Sequence, residues 1–484
     1  MLYSQCRPTP LDGSSPKADP IPGPSFFYRD YSYILEKRLV KYNSSKINSA
    51  ENTEVIVYRI MTTDRLQDFK ITLDREGQKK YTKSSYPVRY GRYSEMEYGE
   101  FRFQFNLNGE VKHIIGTGPE WPHPAEWLKR TIGNDWVYYS TGSYYSGVVD
   151  LFGEYYLPCP IYSSNSLFRE DPFARQGVAS ALQEFAKIGS RMISLSGKEN
   201  KELQDFYSLV ARNSPDYLRQ RADRLHRILK ARVSVLPPDC RHVDYDVMPL
   251  MIMDGCMYNC SFCEVKTGLD LSCRPRREIT DQLFALKEFF GPDLSNYNSI
   301  YLGQHDALCA EPGDIIFAAE QAYAILDIKK SYMQGPRLFL FGSAESFLRM
   351  EEYFWRSLNG LPFYTFVNLG LESFDDETLR FLKKPVSSTV MQKAFKRMFV
   401  INKRYEDIEV TANFLLGMDL PANHIPSLIT CLSEKGRTEG GAGKGCIYVS
   451  PLKGSTNTKE LLKQFRTIKQ KSRFQTFLYL IQRL

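Results

Sequence analysis

Three cysteines within eight residues are the most specific chemical feature of this 484-residue sequence. Cys256, Cys260 and Cys263 are separated by three and then two residues, so one compact loop could turn three thiolates toward a common centre. Thiolates are soft ligands that suit iron–sulfur clusters or zinc. A structural zinc site normally takes four protein ligands, and no second Cys-x2-Cys pair is present, although His305 could complete a Cys3His site. The run therefore predicts a metal centre, with a cluster that keeps one iron free favoured over zinc.

The remaining composition indicates the kind of protein that carries this centre. Hydrophobic residues make up 43% and charged residues 25%, as in ordinary globular proteins, and the net charge of +7 is mild for this length. Ten cysteines in such a long chain do not form a dense disulfide framework, which favours a reducing compartment. No apolar run is long enough to span a bilayer, and the first 24 residues lack the apolar stretch of a signal peptide. We expect a cytoplasmic protein without a membrane interaction, in which Cys240, Cys273 and Cys309 are buried, inert thiols.

The elements that must position the cysteines form a strand–helix alternation in the second half of the chain. Short apolar runs recur there, separated by longer segments with helical periodicity, at Leu250–Met253, Ser299–Leu302, Leu338–Phe341, Thr365–Leu369, Ile408–Leu416 and Cys446–Val449. Six such units predict an α/β fold with a parallel sheet and right-handed crossovers, which an open sheet or a barrel would both satisfy. The cysteines follow the first strand directly, at the carboxyl edge where such folds gather ligands.

The cysteine run resembles the signature of the radical S-adenosylmethionine superfamily, including the aromatic Phe262 before the last cysteine. The resemblance implies that Cys256, Cys260 and Cys263 bind three irons of a [4Fe–4S] cluster and that S-adenosyl-L-methionine binds the fourth. One electron from the reduced cluster would then cleave the cofactor to a 5′-deoxyadenosyl radical, which abstracts hydrogen from a substrate. It also implies a partial (β/α)6 TIM-like barrel and a reducing partner of the ferredoxin or flavodoxin type.

Other strand ends extend this resemblance and supply candidate site residues. The run Gly303–Leu308 is similar to one in relatives of the anaerobic coproporphyrinogen oxidase and Elongator-like branch, and a Gly-x-Glu-Ser turn contains Glu372. The implied cofactor-binding positions are Phe262, Gly303, Gln304, Glu372 and Asn413, and candidate catalytic residues are His305 and Glu345. Simpler roles remain open, because a histidine can cap a turn, a carboxylate can favour a helix start, and an asparagine can satisfy a core carbonyl.

The first half of the chain reads differently. The predicted divisions are a flexible leader at 1–24, a β-rich domain of unknown type at 25–165, a helical connector at 166–238 and the barrel at 239–484. Alternation in Phe101–Phe105 before Asn108-Gly109 predicts a hairpin with a type I′ turn. Ser214 followed by Pro215 predicts a helix start.

Three hypotheses about function remain open from the sequence. The favoured one is an enzyme acting on a small molecule or peptide, with the N-terminal half as a lid or substrate module. The second is an enzyme that modifies RNA, because the segment Lys459–Arg473 is basic and the pairs Tyr138-Tyr139 and Tyr144-Tyr145 could stack on bases. The third is a non-catalytic iron–sulfur binding or sensing protein.

Overall fold

The structure is a computed structural model that describes residues 63–66, 69–81, 90–142, 145–162, 171–195, 201–263, 265, 269–434, 443–453 and 458–484. All of these residues belong to one structural unit, Arg59–Leu484. The predicted leader at 1–24 lies outside the described residues.

An antiparallel sheet of eight strands in sequential order occupies the first part of this unit. A row of directly paired residues crosses five of its strands and is almost fully buried: Met96, Phe103, Ile114, Leu128 and Tyr138. This row belongs to a buried hydrophobic cluster that includes residues of three of the helices that follow the sheet. The strands are β1 Thr63–Leu66, β2 Phe69–Glu76, β3 Arg92–Tyr98, β4 Phe101–Phe105, β5 Val111–Gly116, β6 Trp127–Arg130, β7 Trp136–Ser140 and β8 Leu157–Pro160.

The hairpin between β4 and β5 is present, but its turn is not the predicted type I′. A type I′ turn needs positive φ at both central residues, and only Gly109, at φ 74°, has one. The connection is a longer loop organised by Asn106, whose side-chain oxygen accepts hydrogen bonds from the backbone N–H groups of Asn108 and Glu110, both at 3.0 Å. This local side-chain capture replaces the tight two-residue turn.

Four helices are α1 Tyr145–Phe152, α2 Gln176–Leu195, α3 Lys201–Arg212 and α4 Pro215–Leu229. The predicted start of α4 is confirmed, since Ser214 Oγ accepts a hydrogen bond from the Tyr217 N–H at 3.2 Å. Among the described residues, no helix combines the length and the apolar character that a bilayer crossing requires.

The second half contains a parallel sheet of seven strands, flanked by the helices of its crossovers. Its order is β9-β12-β13-β14-β15-β16-β17, and the described edge strands β9 and β17 do not pair with each other. The strands of this half are β9 Met248–Leu250, β10 Met253–Asp254, β11 Ser272–Cys273, β12 Ser299–Asp306, β13 Arg337–Ser343, β14 Tyr364–Glu372, β15 Ile408–Leu416, β16 Ile447–Pro451 and β17 Thr476–Leu478. The helices are α5 Arg276–Phe290, α6 Pro312–Ile325, α7 Ala344–Arg349, α8 Glu352–Gly360, α9 Asp376–Phe381, α10 Ser388–Arg404, α11 His424–Ser433 and α12 Thr458–Lys471.

This arrangement is mixed α/β and consistent with a partial TIM-like barrel, with two differences from the predicted six units. A seventh strand, β17, follows α12. The first strand ends at Leu250 instead of Met253, because the Gln282 side chain bonds both the N–H and the C=O of Met251, at 2.8 and 3.0 Å. These backbone groups are thereby withdrawn from the ladder, and Met253–Asp254 pairs antiparallel with Ser272–Cys273 as a separate ribbon.

The N-terminal sheet contacts the segments that precede the parallel strands. Lys129 binds Asp244 and Asp246 before β9, at 3.0 Å each, and Tyr332 before β13 donates to the Gly77 carbonyl at 2.8 Å. Asn296 before β12 donates to the Arg92 carbonyl at 2.9 Å. These contacts lie at the amino ends of the strands, opposite the carboxyl ends that the cysteine loop follows. They do not support a lid role for the described part of the N-terminal half.

Glu409 on β15 gives a pH-dependent stability prediction. It is buried, accepts a hydrogen bond from the Gly445 N–H at 3.0 Å, and has its pKa raised from 4.5 to about 7 by burial and then by the Asp239 carboxylate. The folded state therefore prefers the neutral acid, and that preference stabilises the fold below pH 4.5 and is lost as the pH rises through about 7. Glutamine is neutral at every pH. The free energy of unfolding of Glu409→Gln, relative to that of the wild type, should therefore rise across this pH range by at most about 3 kcal/mol.

Thermal or urea unfolding at several pH values between 5 and 8 measures this difference. Glu320→Gln, at an exposed position on α6, is the control and should follow the wild type at every pH. A constant difference between Glu409→Gln and the wild type over that range would contradict the prediction.

Candidate active site

The cysteine loop follows the β10 strand and carries three cysteine thiols in different environments. Cys256 is exposed, Cys260 is buried and Cys263 is half-buried. Burial raises the pKa of Cys260 to about 11, opposed by the Lys384 ammonium group. The Ser261 N–H donates to the Leu382 carbonyl at 2.9 Å, which fastens the loop to the connection after β14.

The three thiols share this loop without converging on one point. Within the described ranges, no group of three or more His, Cys, Asp or Glu side chains is arranged to hold a metal ion, and His305 completes no such group there. A cluster held by Cys256, Cys260 and Cys263 therefore requires these side chains to turn toward a common centre.

Tyr258 joins the cysteine loop to the end of β13. Its hydroxyl donates a hydrogen bond to Glu345 Oε2, and burial together with this bond raises the pKa of Tyr258. Glu345, a predicted catalytic candidate, thus holds the loop through Tyr258. The sequence analysis did not single out Tyr258, although its place between two of the cysteines was a signal.

Glu372 at the end of β14 has an unusual backbone conformation. Its φ of 64° lies in the left-handed region, which is costly for a residue with a side chain and is often found at functional sites. Glu372 Oε1 lies 3.2 Å from Lys384 Nζ, and Lys384 also donates to the Gly370 carbonyl at 2.7 Å. Glu372 Oε2 is buried and has no hydrogen-bond partner among the described residues. This oxygen is a free acceptor at the predicted cofactor-binding position.

The end of β12 departs from regular pairing at the predicted Gly303 position. The ladder with β13 jumps from Leu302 to Asp306, so the intervening residues bulge out of the sheet. Gly303 has φ 69°, and a Cβ built there would meet no atom within 4 Å, so the space beside it is open. Asp306 Oδ1 accepts a 2.6 Å hydrogen bond from Ser346 Oγ, whereas Asp306 Oδ2 is buried and unpaired in the described structure.

The other predicted residues are less informative. His305 is half-buried, and burial lowers its pKa against the opposing effect of Asp254. Asn413 Oδ1 accepts a hydrogen bond from Ser450 Oγ at 2.8 Å. Phe262 is half-buried, and the side chain of Gln304 lies outside the description.

The lysine of this site was missed by sequence reasoning. Lys384 follows another lysine and precedes a proline, which is an unremarkable surface pattern, yet only 6% of its side chain is exposed. The expected burial is confirmed for Cys240 and is wrong for Cys273, which is exposed, whereas Cys309 is half-buried.

The donor atoms of the site and the space beside them can be compared with what an iron–sulfur cluster and its cofactor require. Three thiols are the donor set that an iron–sulfur cluster prefers, and they leave a fourth iron available. The open space at Gly303, and the buried oxygens of Glu372 and Asp306 that have no partner within the described ranges, are suited to a ligand with ammonium or hydroxyl donors. The residues present therefore fit a cluster and a cofactor of that kind.

Comparisons with known proteins give only weak similarities. No protein-family model and no curated protein sequence matches the chain. A structure of the cobalamin-dependent S-adenosylmethionine radical enzyme OxsB, with aqua-cobalamin and S-adenosylmethionine bound, shares 15% identity over 47% of this chain and 31% of OxsB, with a TM-score of 0.31. This chain thus spans about a third of the length of OxsB.

Two further solved structures show a similar level of likeness. Streptococcus suis SuiB shares 12% identity over 79% of this chain and 71% of its own, with a TM-score of 0.32. Methylornithine synthase (PylB) shares 14% identity over 60% of this chain and 77% of its own, with a TM-score of 0.30. Similarities at this level do not establish a common fold, so a functional assignment must rest on the residues of the site.

Proposed function

We propose that this protein is a radical S-adenosylmethionine enzyme whose [4Fe–4S] cluster is held by Cys256, Cys260 and Cys263. The observation that carries the proposal is a loop with three cysteine thiols beside the end of β14, where Glu372 has a buried carboxylate oxygen with no hydrogen-bond partner among the described residues. When bound and reduced, such a cluster supplies the electron that cleaves S-adenosylmethionine to a 5′-deoxyadenosyl radical.

The chain's own residues have separate tasks in this proposal. The thiolates bind iron, and Tyr258 and the Ser261 N–H hold the loop against α7 and the connection after β14. The open backbone at Gly303 leaves room for the methionine part of the cofactor, and Glu372 Oε2 offers an acceptor to its ammonium group or ribose hydroxyls. Gln304, Asn413 and Phe262 remain proposed cofactor contacts.

For the substrate we propose a small molecule or a peptide. Large apolar side chains are exposed on the cysteine loop and on the segments after the β10, β14 and β15 strands: Met257, Leu269, Leu271, Phe381 and Met418. Such side chains favour a substrate with apolar groups over a polyanion. A ferredoxin- or flavodoxin-type donor is the proposed reducing partner, and the cytoplasm is the proposed location.

The structure removes part of the argument for RNA. Tyr138 and Tyr139 are both buried; Tyr138 donates to Glu126 Oε2 at 2.6 Å, and Tyr139 stacks on Trp127 with ring centroids 5.0 Å apart. These rings pack the sheet and are not available to stack on bases. Tyr144 and the Tyr145 side chain lie outside the described residues.

The test is anaerobic reconstitution with iron and sulfide, followed by dithionite reduction in the presence of S-adenosylmethionine. We expect a four-iron absorption and electron paramagnetic resonance (EPR) signature and the formation of 5′-deoxyadenosine. A protein that binds zinc without sulfide would overturn the proposal. A stable cluster that leaves the cofactor intact, with candidate peptides present or absent, would favour the sensing protein instead.

A further inference from the structure

Lys384 is a buried lysine whose ammonium group lies between β14 and the cysteine loop. Its Nζ donates to the Gly370 carbonyl at 2.7 Å and pairs with Glu372 Oε1 at 3.2 Å. The same atom lies 5.7 Å from the ring centroid of Tyr258, on the cysteine loop. A buried cation needs such compensation, because it has lost its water.

This ammonium group lies near a carboxylate and near thiols that become negatively charged when they bind iron. Glu372 is its ion-pair partner, and the Tyr258 ring that it faces lies between Cys256 and Cys260 in the sequence. Each thiol that binds iron does so as a thiolate, which adds negative charge to this place. Lys384 is thus a fixed positive charge where the proposed cluster concentrates negative charge.

The backbone at Glu372 shows why the lysine also matters for position. Glu372 is held at φ 64°, two residues after the Gly370 carbonyl that Lys384 binds. Lys384 therefore bonds both a carbonyl and a carboxylate of the same irregular strand end. Such a strained conformation persists only when its surroundings fix it, and these two bonds fix it from one side chain.

We propose that Lys384 is a positioning residue that holds Glu372 in the site and supplies the positive charge that tunes the reduction potential of the bound cluster. This inference rests on the proposed function. Reduction adds one electron from the donor to the cluster, so a nearby positive charge stabilises the reduced form and raises the midpoint potential. The Glu372 carboxylate acts in the opposite direction.

The experiment is a redox titration of the reconstituted full chain with dithionite and mediators, followed by EPR, without any substrate. Lys384→Met should shift the cluster midpoint to a more negative potential, and Glu372→Gln should shift it to a more positive one. Lys384→Arg keeps the charge and should stay near the wild type. Lys383→Met is the matched control, since Lys383 is the adjacent lysine but is exposed, and its potential should not change.

Lys384→Met leaves Glu372 buried without its ion-pair partner, and this variant could fail to fold. The double variant Lys384→Met/Glu372→Gln removes both charges and tests the inference in that case. Its potential should lie between those expected for the two single changes. Equal potentials for Lys384→Met and Lys383→Met, or for the double variant and Glu372→Gln alone, would overturn the inference and leave the proposed function standing. A wild-type chain that binds no iron–sulfur cluster would overturn both.

Discussion

Replacing Cys260 with alanine is expected to abolish the iron–sulfur centre and, with it, all 5′-deoxyadenosine formation. Cys260 is the buried member of the three, and the next residue anchors the loop through the hydrogen bond from Ser261 to Leu382. With only two thiolates left, the loop cannot supply the three protein ligands that leave a single iron free. Iron and sulfide per chain, measured after anaerobic reconstitution, should fall from about four of each to near zero.

Cys273→Ala is the matched control for this loss. Cys273 is an exposed thiol on β11, whose backbone pairs with the strand that leads into the cysteine loop. It therefore lies near the loop without belonging to its ligand set, and the variant should keep full iron and sulfide content. Retention of the whole cluster in Cys260→Ala, or its equal loss in both variants, would remove Cys260 from the proposed ligands.

Some features of the site and of the fold could be predicted from the sequence alone. The proposed ligand set could be named from the sequence because Cys256, Cys260 and Cys263 are close together in it. The parallel sheet was predictable because apolar runs alternate with helical periodicity. The strand ends were less predictable, since the side chain of Gln282, distant in sequence, removes Met251 from the ladder.

The role of Lys384 shows where sequence reasoning stops. Its burial depends on partners from two elements that the fold brings together: Gly370 and Glu372 on β14, and Tyr258 on the cysteine loop. Nothing in the local pattern distinguishes it from the exposed Lys383 beside it. The same limit applies to the N-terminal sheet: its β-rich character could be predicted, whereas its attachment to the amino ends of the parallel strands depends on long-range ion pairs.

The strongest of those attachments predicts a large loss of stability on replacing Lys129 with methionine. Only 3% of this side chain is exposed, and it binds Asp244 Oδ2 and Asp246 Oδ1 at 3.0 Å each. Asp246 keeps a second partner, Lys112 at 2.9 Å, but Asp244 is left buried without this cation. Breaking a buried pair from one side costs about 3–5 kcal/mol, and we expect a loss of that order in the free energy of unfolding. Lys70→Met is the control, because Lys70 pairs with Glu97 at the surface of the same sheet, where such pairs contribute about 1 kcal/mol or less.

The pH dependence of unfolding gives the same interaction a second, independent signature. Burial would raise the pKa of Asp246, but Lys112 and Lys129 prevail and lower it from 3.8 to about 2. Because the folded pKa lies below the unfolded one, the pairing stabilises the fold above pH 3.8 and is lost as the pH falls toward 2. The wild type should therefore lose about 2 kcal/mol over this window from Asp246. The free energy of unfolding of Lys129→Met should fall by less over this window, because the attraction between Lys129 and Asp246 is absent at every pH. Denaturant unfolding at pH 7 and between pH 4 and 2 measures both effects. If Lys129→Met proved as stable as Lys70→Met, the ion pairs of Lys129 would not hold the sheet in place.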